Sequence, residues 1–237
     1  MRPLLIAKAG ETLASVRARR GDYEDWILAG LGLTWERALV VRVFAGEALP
    51  SCDSVAGVVV TGSSAMVSAR EPWSERTAGW LRGAVAAGTP VLGICYGHQL
   101  LAHALGGRVG RNPRGREIGT IELELEPAAQ ADPLLGALPG RCRAQATHVE
   151  SVLELPPGAR ALASSAGDPT QAFAAGTAAW GVQFHPEFDA DVMRSYLEGR
   201  RELIAGEGLD AAGLLERVEE TPHAARLLQR FAGLLTR

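Results

Sequence analysis

Lysine is almost missing from this chain: among 237 residues Lys8 is the only one, and arginine carries nearly all of the positive charge. The arginines are scattered and offset by acids, for a formal net charge of -3. That leaves no basic excess of the kind nucleic acid or an anionic membrane requires, and the arginines read as a solvated surface. Cysteine is scarce too. Cys52, Cys95 and Cys142 have no metal-ligand spacing, and an odd number closes no disulfide framework. A reducing compartment is the simpler reading. No apolar stretch approaches the ~20 residues of a membrane span. The amino-terminal run Leu4-Leu5-Ile6-Ala7 meets Lys8 and Gly10 too soon for a signal peptide. No repeat, low-complexity segment, long linker or Gly-x-x-x-x-Gly-Lys-Ser/Thr phosphate loop is present. These absences predict a soluble cytoplasmic protein with no nucleic-acid or membrane partner, no cofactor and no metal site.

What the chain does have is an alternation of short β-branched runs with helical segments, the pattern of a mainly parallel sheet covered on both faces. Its length suits one α/β domain over residues 1–237, large enough to bury roughly 70–75% of its unfolded surface. Strands are expected at Leu4 to Ala7, Leu39 to Phe44, Val55 to Thr61, Val91 to Ile94 and Ala178 to Phe184. Helices are expected from Asp22 to Leu31 with Asp22 as cap, from a Ser74 cap to about Ala87, and from His98 to Leu105. Between roughly 108 and 178 the rhythm changes to short strand-like runs, so that portion reads as antiparallel or mixed. The tail, 189–237, reads as a helical extension: one helix from Asp189 to about Ala205, a shorter one over Asp210 to Val218, and a last one opened by Thr221 and Pro222.

The chemistry concentrates at Gly93-Ile94-Cys95-Tyr96-Gly97-His98-Gln99. An apolar run stops at a cysteine with glycine at both second neighbours, and a helical pattern begins at once. A sharp strand-to-helix elbow crowds its flanking positions, so small residues are needed there. A turn into a helix also sets unpaired N–H groups beside the sulfur, which favours thiolate. Taken alone, the segment equally fits a buried structural cysteine. A second segment, Trp180-Gly181-Val182-Gln183-Phe184-His185-Pro186-Glu187, offers a base and a carboxylate to orient it. Residues two apart in an extended chain share a side, so His185 and Glu187 are expected to face the sheet edge where Cys95 emerges.

Together, the Cys95 block, Gln183-Phe184-His185-Pro186-Glu187 and Val58-Val59-Val60-Thr61-Gly62-Ser63 resemble the class I (triad) glutamine amidotransferases, in the manner of a stand-alone GMP-synthase-like glutaminase. The similarity spans about residues 2–188. It implies a flavodoxin-like fold, with Cys95 as nucleophile, His185 as general base and acid, and Glu187 as orienting carboxylate. The backbone N–H groups of Gly62 and Tyr96 would hold the oxyanion. Gln99 and the stretch Thr147-His148-Val149-Glu150, with His148 and Val149 at its centre, would hold the substrate. The implied activity is release of ammonia from glutamine, for an acceptor on a separate synthase subunit. Hydrolysis of another γ-glutamyl compound with the same triad is the alternative, and a non-catalytic binding protein on this scaffold is a third reading.

Other residues read as structural. His98 and His103 serve packing, polar contacts or solvent, and His223 is exposed. Cys52 and Cys142 lack activating neighbours. Trp26, Trp35 and Trp80 pack in the core or at its edges, while Trp73 either anchors a loop beside the pocket or covers core. Glu122, Glu124 and Glu126 alternate along a strand and form its wet face.

Overall fold

The computed structural model describes residues 2–235; position 1 and positions 236–237 of the expected tail lie outside the described residues. In chain order, β1 (Leu4–Lys8) leads to helices α1 (Ala14–Arg20) and α2 (Tyr23–Leu31), then β2 (Ala38–Arg42) and β3 (Gly57–Val60). Helix α3 (Pro72–Ala86), β4 (Val91–Ile94) and α4 (Tyr96–Ala104) complete the first half. Six strands follow: β5 (Arg108–Arg111), β6 (Glu117–Leu125), β7 (Arg141–His148), β8 (Glu150–Glu154), β9 (Arg160–Ser164) and β10 (Ala172–Ala175). After β11 (Ala179–Val182) come α5 (Ala190–Gly199), α6 (Arg201–Gly206), α7 (Ala211–Glu216) and α8 (Pro222–Leu234).

Among the described residues, nine strands form one sheet in the order β2-β1-β3-β4-β11-β10-β9-β6-β7, and β5 pairs β8 beside it. The β2-β1-β3-β4-β11 portion is parallel, whereas β11-β10-β9-β6-β7 is antiparallel. The central strands are buried on both faces, and their alternate residues feed two apolar clusters. Leu4 and Ile6 join one with Val59, Leu92 and Ile94; Leu5 and Ala7 join the other with Val58, Val60 and Val91. Trp26, Ile27, Leu228 and Phe231 of α2 and α8 cover the first cluster. Trp73, Leu81, Leu100 and Leu101 of α3 and α4 cover the second. A mainly parallel sheet with helices on both faces and added antiparallel strands is therefore the fold, as the alternation predicts.

Local departures have local causes. Asp22 does cap α2, in a capping box with Asp25. Ser74, in contrast, is no cap: Pro72 at the first helical position starts α3 earlier, and the Ser74 hydroxyl accepts from Tyr96 Oη at 2.6 Å. Strand β2 stops at Arg42, because residues Val43–Ala45 turn into a 3-10 segment. The expected helix from Asp189 is two helices, since Arg200, after the poor helix former Gly199, leaves helical geometry at φ -116°, ψ 13°. Helix α1 has no counterpart in the sequence expectations. Thr221 stands at the start of α8 without a side-chain capping bond. Trp35 is 51% exposed and packs in no core, while Trp26 is buried. Lys8, the lone lysine, is not on the solvated surface either: it is 5% exposed and pairs with Asp22 at 2.8 Å and Glu24 at 2.6 Å.

Candidate active site

Strand β4 delivers Cys95 to the N-cap of α4 with φ 51° and ψ -100°. Only two non-glycine described residues, Arg70 and Cys95, have positive φ. Such backbone strain persists where its surroundings over-determine it. Here the Cys95 N–H donates to Val182 O of the neighbouring strand at 2.8 Å, and the two flanking glycines let the elbow close. A Cβ on Gly93 would lie 2.3 Å from Gly97 O, and one on Gly97 would lie 2.4 Å from Val60 O. The small residues are needed for steric reasons, as the spacing predicts. Helix α4 begins at Tyr96, two residues earlier than expected, so the Tyr96 N–H is one of those with no intrahelical acceptor.

His185 reaches the same place from β11. Its N–H donates to Gln145 O at 2.8 Å, and Nδ1 donates to Glu187 Oε1 at 2.7 Å. The pairing is made by a turn, closed by Phe188 N–H to His185 O at 3.3 Å, rather than by the extended chain expected from the sequence. Phe188 stacks on the imidazole with ring centroids 4.1 Å apart, and Tyr23 lies 6.4 Å from it at 17°. A Cβ on Gly62 would come within 3.1 Å of His185 Cε1, so only glycine leaves the ring its place. His185 Nε2 has no conventional hydrogen bond. What it does meet is the Cys95 thiol, within weak hydrogen-bonding and electrostatic reach. Burial alone would raise the Cys95 pKa, but the charges of His185 and then His148 outweigh it, and the thiol sits below its ordinary value. Burial also opposes protonation of His185; the Glu187 carboxylate and the Cys95 sulfur overcome it and push its pKa up.

The other expected contacts are near, though two are already engaged. Gln99 Nε2 donates to Glu150 O at 2.8 Å and Gln183 Oε1 at 2.9 Å, leaving only its oxygen for a ligand. His148 faces Glu150 O from Nδ1 at 2.9 Å and Glu117 Oε2 from Nε2 at 3.0 Å. Two acceptors require two ring N–H groups, so His148 is an imidazolium with no nitrogen left for substrate. Burial lowers its pKa, but Glu117, Cys95 and Asp168 raise it more. The side-chain contact expected of His148 is thus replaced by a fixed positive charge. The Val149 carbonyl accepts from Asn112 N–H at 2.8 Å. Cys95, Tyr96, Gln99, His148, Val149 and His185 line one cavity of about 340 Å³.

Residues set aside as structural behave accordingly. His98 is fully buried and held neutral, its pKa pushed down to about 3 chiefly by burial. His103 sits 2.9 Å from Glu75, and His223 is exposed. Burial pushes the Cys142 thiol up to about 11. Trp73 is 9% exposed and stacks on Tyr96 at 5.5 Å, one layer behind the cavity. Glu122 and Glu124 face solvent. Among the described residues, no group of three or more His, Cys, Asp or Glu converges as a metal site would need, and no helix is long and apolar enough to cross a membrane.

The family model for glutamine amidotransferase class-I matches residues 44–200, a span that contains Cys95, His185 and Glu187. A GMP synthase [glutamine-hydrolyzing] of Aeropyrum pernix is 42% identical over 142 residues, covering 60% of this chain and 25% of that protein. Thus the chain spans about a quarter of that relative's length. Gamma-glutamyl peptidase 4 of Arabidopsis thaliana is 30% identical over 177 residues, or 73% of this chain and 70% of that one. A solved glutamine amidotransferase from Methylobacillus flagellatus shares the fold, with a TM-score of 0.77 at 24% identity over 100% of this chain and 93% of its own. With well over half of its length matched by the family model, the chain belongs to the class-I glutamine amidotransferase family.

Proposed function

We propose that the chain hydrolyses the side-chain amide of glutamine through a thioester on Cys95. The observation that carries this reading is the line from Cys95 to His185 to Glu187, in which a 2.7 Å bond fixes Nδ1 and leaves Nε2 for the thiol. The thiolate attacks the amide carbonyl carbon, and the oxyanion meets the N–H groups of Gly62 and Tyr96. One such donor contributes about 3–4 kcal/mol to the transition state. His185 gives its proton to the departing nitrogen, the C–N bond breaks, and ammonia leaves. His185 then takes a proton from water, which attacks the thioester; the C–S bond breaks and glutamate is released. Gln99 and Val149 sit at the substrate end of the cavity, and His148 holds positive charge beside the sulfur.

Ammonia then passes to an acceptor on a separate synthase subunit, which fits a chain that corresponds to a quarter of the A. pernix protein. Three free cysteines suit a reducing compartment, and we read the protein as cytoplasmic. Hydrolysis of a larger γ-glutamyl compound is the second reading. It is favoured by the 73% of this chain aligned with the Arabidopsis peptidase. The test is glutamate release by wild type and Cys95→Ala. Turnover is expected to fall by roughly 10⁴-fold or more with the fold retained; unchanged release in the variant rules the assignment out.

A further inference from the structure

The cavity beside Cys95 has a wall that this chemistry leaves unused. Tyr196 of α5, Arg200 at the break between α5 and α6, and Leu203 of α6 line it, together with Met66. Leu203 is 49% and Met66 38% exposed. Only four large hydrophobics are exposed among the described residues, so finding two of them at one cavity marks its mouth as an apolar rim. The tail that supplies this rim is clamped in place. Arg116, just before β6, bonds Glu207 at the end of α6 through two nitrogens, at 2.7 and 2.9 Å.

That clamp neutralises Arg116 but not Arg200. The half-buried Arg200 guanidinium lies 5.2 Å from the Tyr196 ring centroid, and no ion pair or hydrogen bond engages it among the described residues. Its nearest acid in charge terms, Glu207, is already taken by Arg116. A guanidinium fixed over an aromatic ring and left without an anion is preorganised for a planar carboxylate. Ammonia carries no such group. The volume of about 340 Å³ falls in the range of about 300–1,000 Å³ that encloses whole small-molecule ligands.

We propose that Arg200 is a specificity-determining residue that binds a carboxylate on the leaving group of a γ-glutamyl peptide, with Met66 and Leu203 covering the apolar part between. The proposal rests on the Cys95 reading above and names its substrate class. Bond changes are the same: the peptide amine leaves in place of ammonia with the proton from His185, and water hydrolyses the thioester.

Calorimetric titration of Cys95→Ala protein tests binding apart from turnover. The probes are γ-glutamyl-alanyl-glycine, its carboxyl-terminal amide, and glutamine, each with Arg200, Arg200→Gln and Arg200→Lys. Amidation is expected to weaken peptide binding by about tenfold or more with Arg200 present, as for loss of a charged hydrogen bond. In Arg200→Gln the two peptides should agree within roughly twofold, and Arg200→Lys should restore part of the difference. The proposal is overturned if neither peptide binds, if both bind wild-type Arg200 equally, or if the penalty survives in Arg200→Gln. It is also overturned if Arg200→Gln weakens glutamine as much as peptide, which puts the cation at the glutamyl end. Glutamate release that persists in Cys95→Ala would instead remove the nucleophile and leave these binding results standing.

Discussion

His185 and His148 are both buried against the Cys95 cavity, and both are held positive by carboxylates, yet their surroundings suit them to different work. His185 stands at the end of the parallel portion of the sheet, wedged between Phe188, Tyr23 and Gly62, with one nitrogen on Glu187 and the other left for the sulfur. His148 ends β7 in the antiparallel portion, and both of its nitrogens are tied, to Glu117 and to the Glu150 carbonyl. The first imidazole has a free position from which a proton can move. The second can only hold charge. Shape therefore dominates on one side of the cavity and fixed electrostatics on the other, and the thiol between them senses both.

The largest effect that separates the two sides should come from Glu187→Gln. Without the carboxylate, Nδ1 loses its acceptor charge and the imidazolium its stabilisation; steady-state glutamate release should drop by about 10²–10⁴-fold with little change in KM. A drop no larger than that of a substitution at the His148 side would erase the distinction. His148→Gln should cost less, about tenfold near neutral pH. Its charge lowers the Cys95 pKa, so removing it raises that pKa, and the acid limb of the activity profile should move to higher pH with activity recovered there. A pH-independent loss would mean that His148 acts by contact or by folding rather than by charge.

The parallel side was also the more readable from sequence. A Gly-x-Cys-x-Gly elbow and a His-x-Glu pair are local patterns, and steric crowding at Gly93 and Gly97 is dictated within a few residues. Even so, the turn at 185–188 reached the expected contact by another route than the extended chain, and Phe188 stacking was not foreseen. The charged side is made of long-range partners. Glu117 lies on the same strand as the solvent-facing Glu122 and Glu124, and only the register of β6 against β7 sets it opposite His148. No local signal distinguishes it from them. Likewise Asp168 meets Ser151 at 2.6 Å across the chain, and its place beneath His148 depends on folding of the whole middle portion. The break at Arg200, which brings α6 to the cavity mouth, is set by the Arg116–Glu207 clamp as much as by Gly199.

The central claim is that His185 holds a proton which keeps Cys95 as thiolate. The rate of Cys95 alkylation by iodoacetamide against pH, followed by mass spectrometry of its peptide in wild type and His185→Gln, tests it most directly. Half-maximal reactivity should fall below pH 9 in wild type, where the folded thiol is lowered from its model value of 9.0, and move upward in the variant. A wild-type curve like that of a free thiol, unchanged by His185→Gln, would contradict the account.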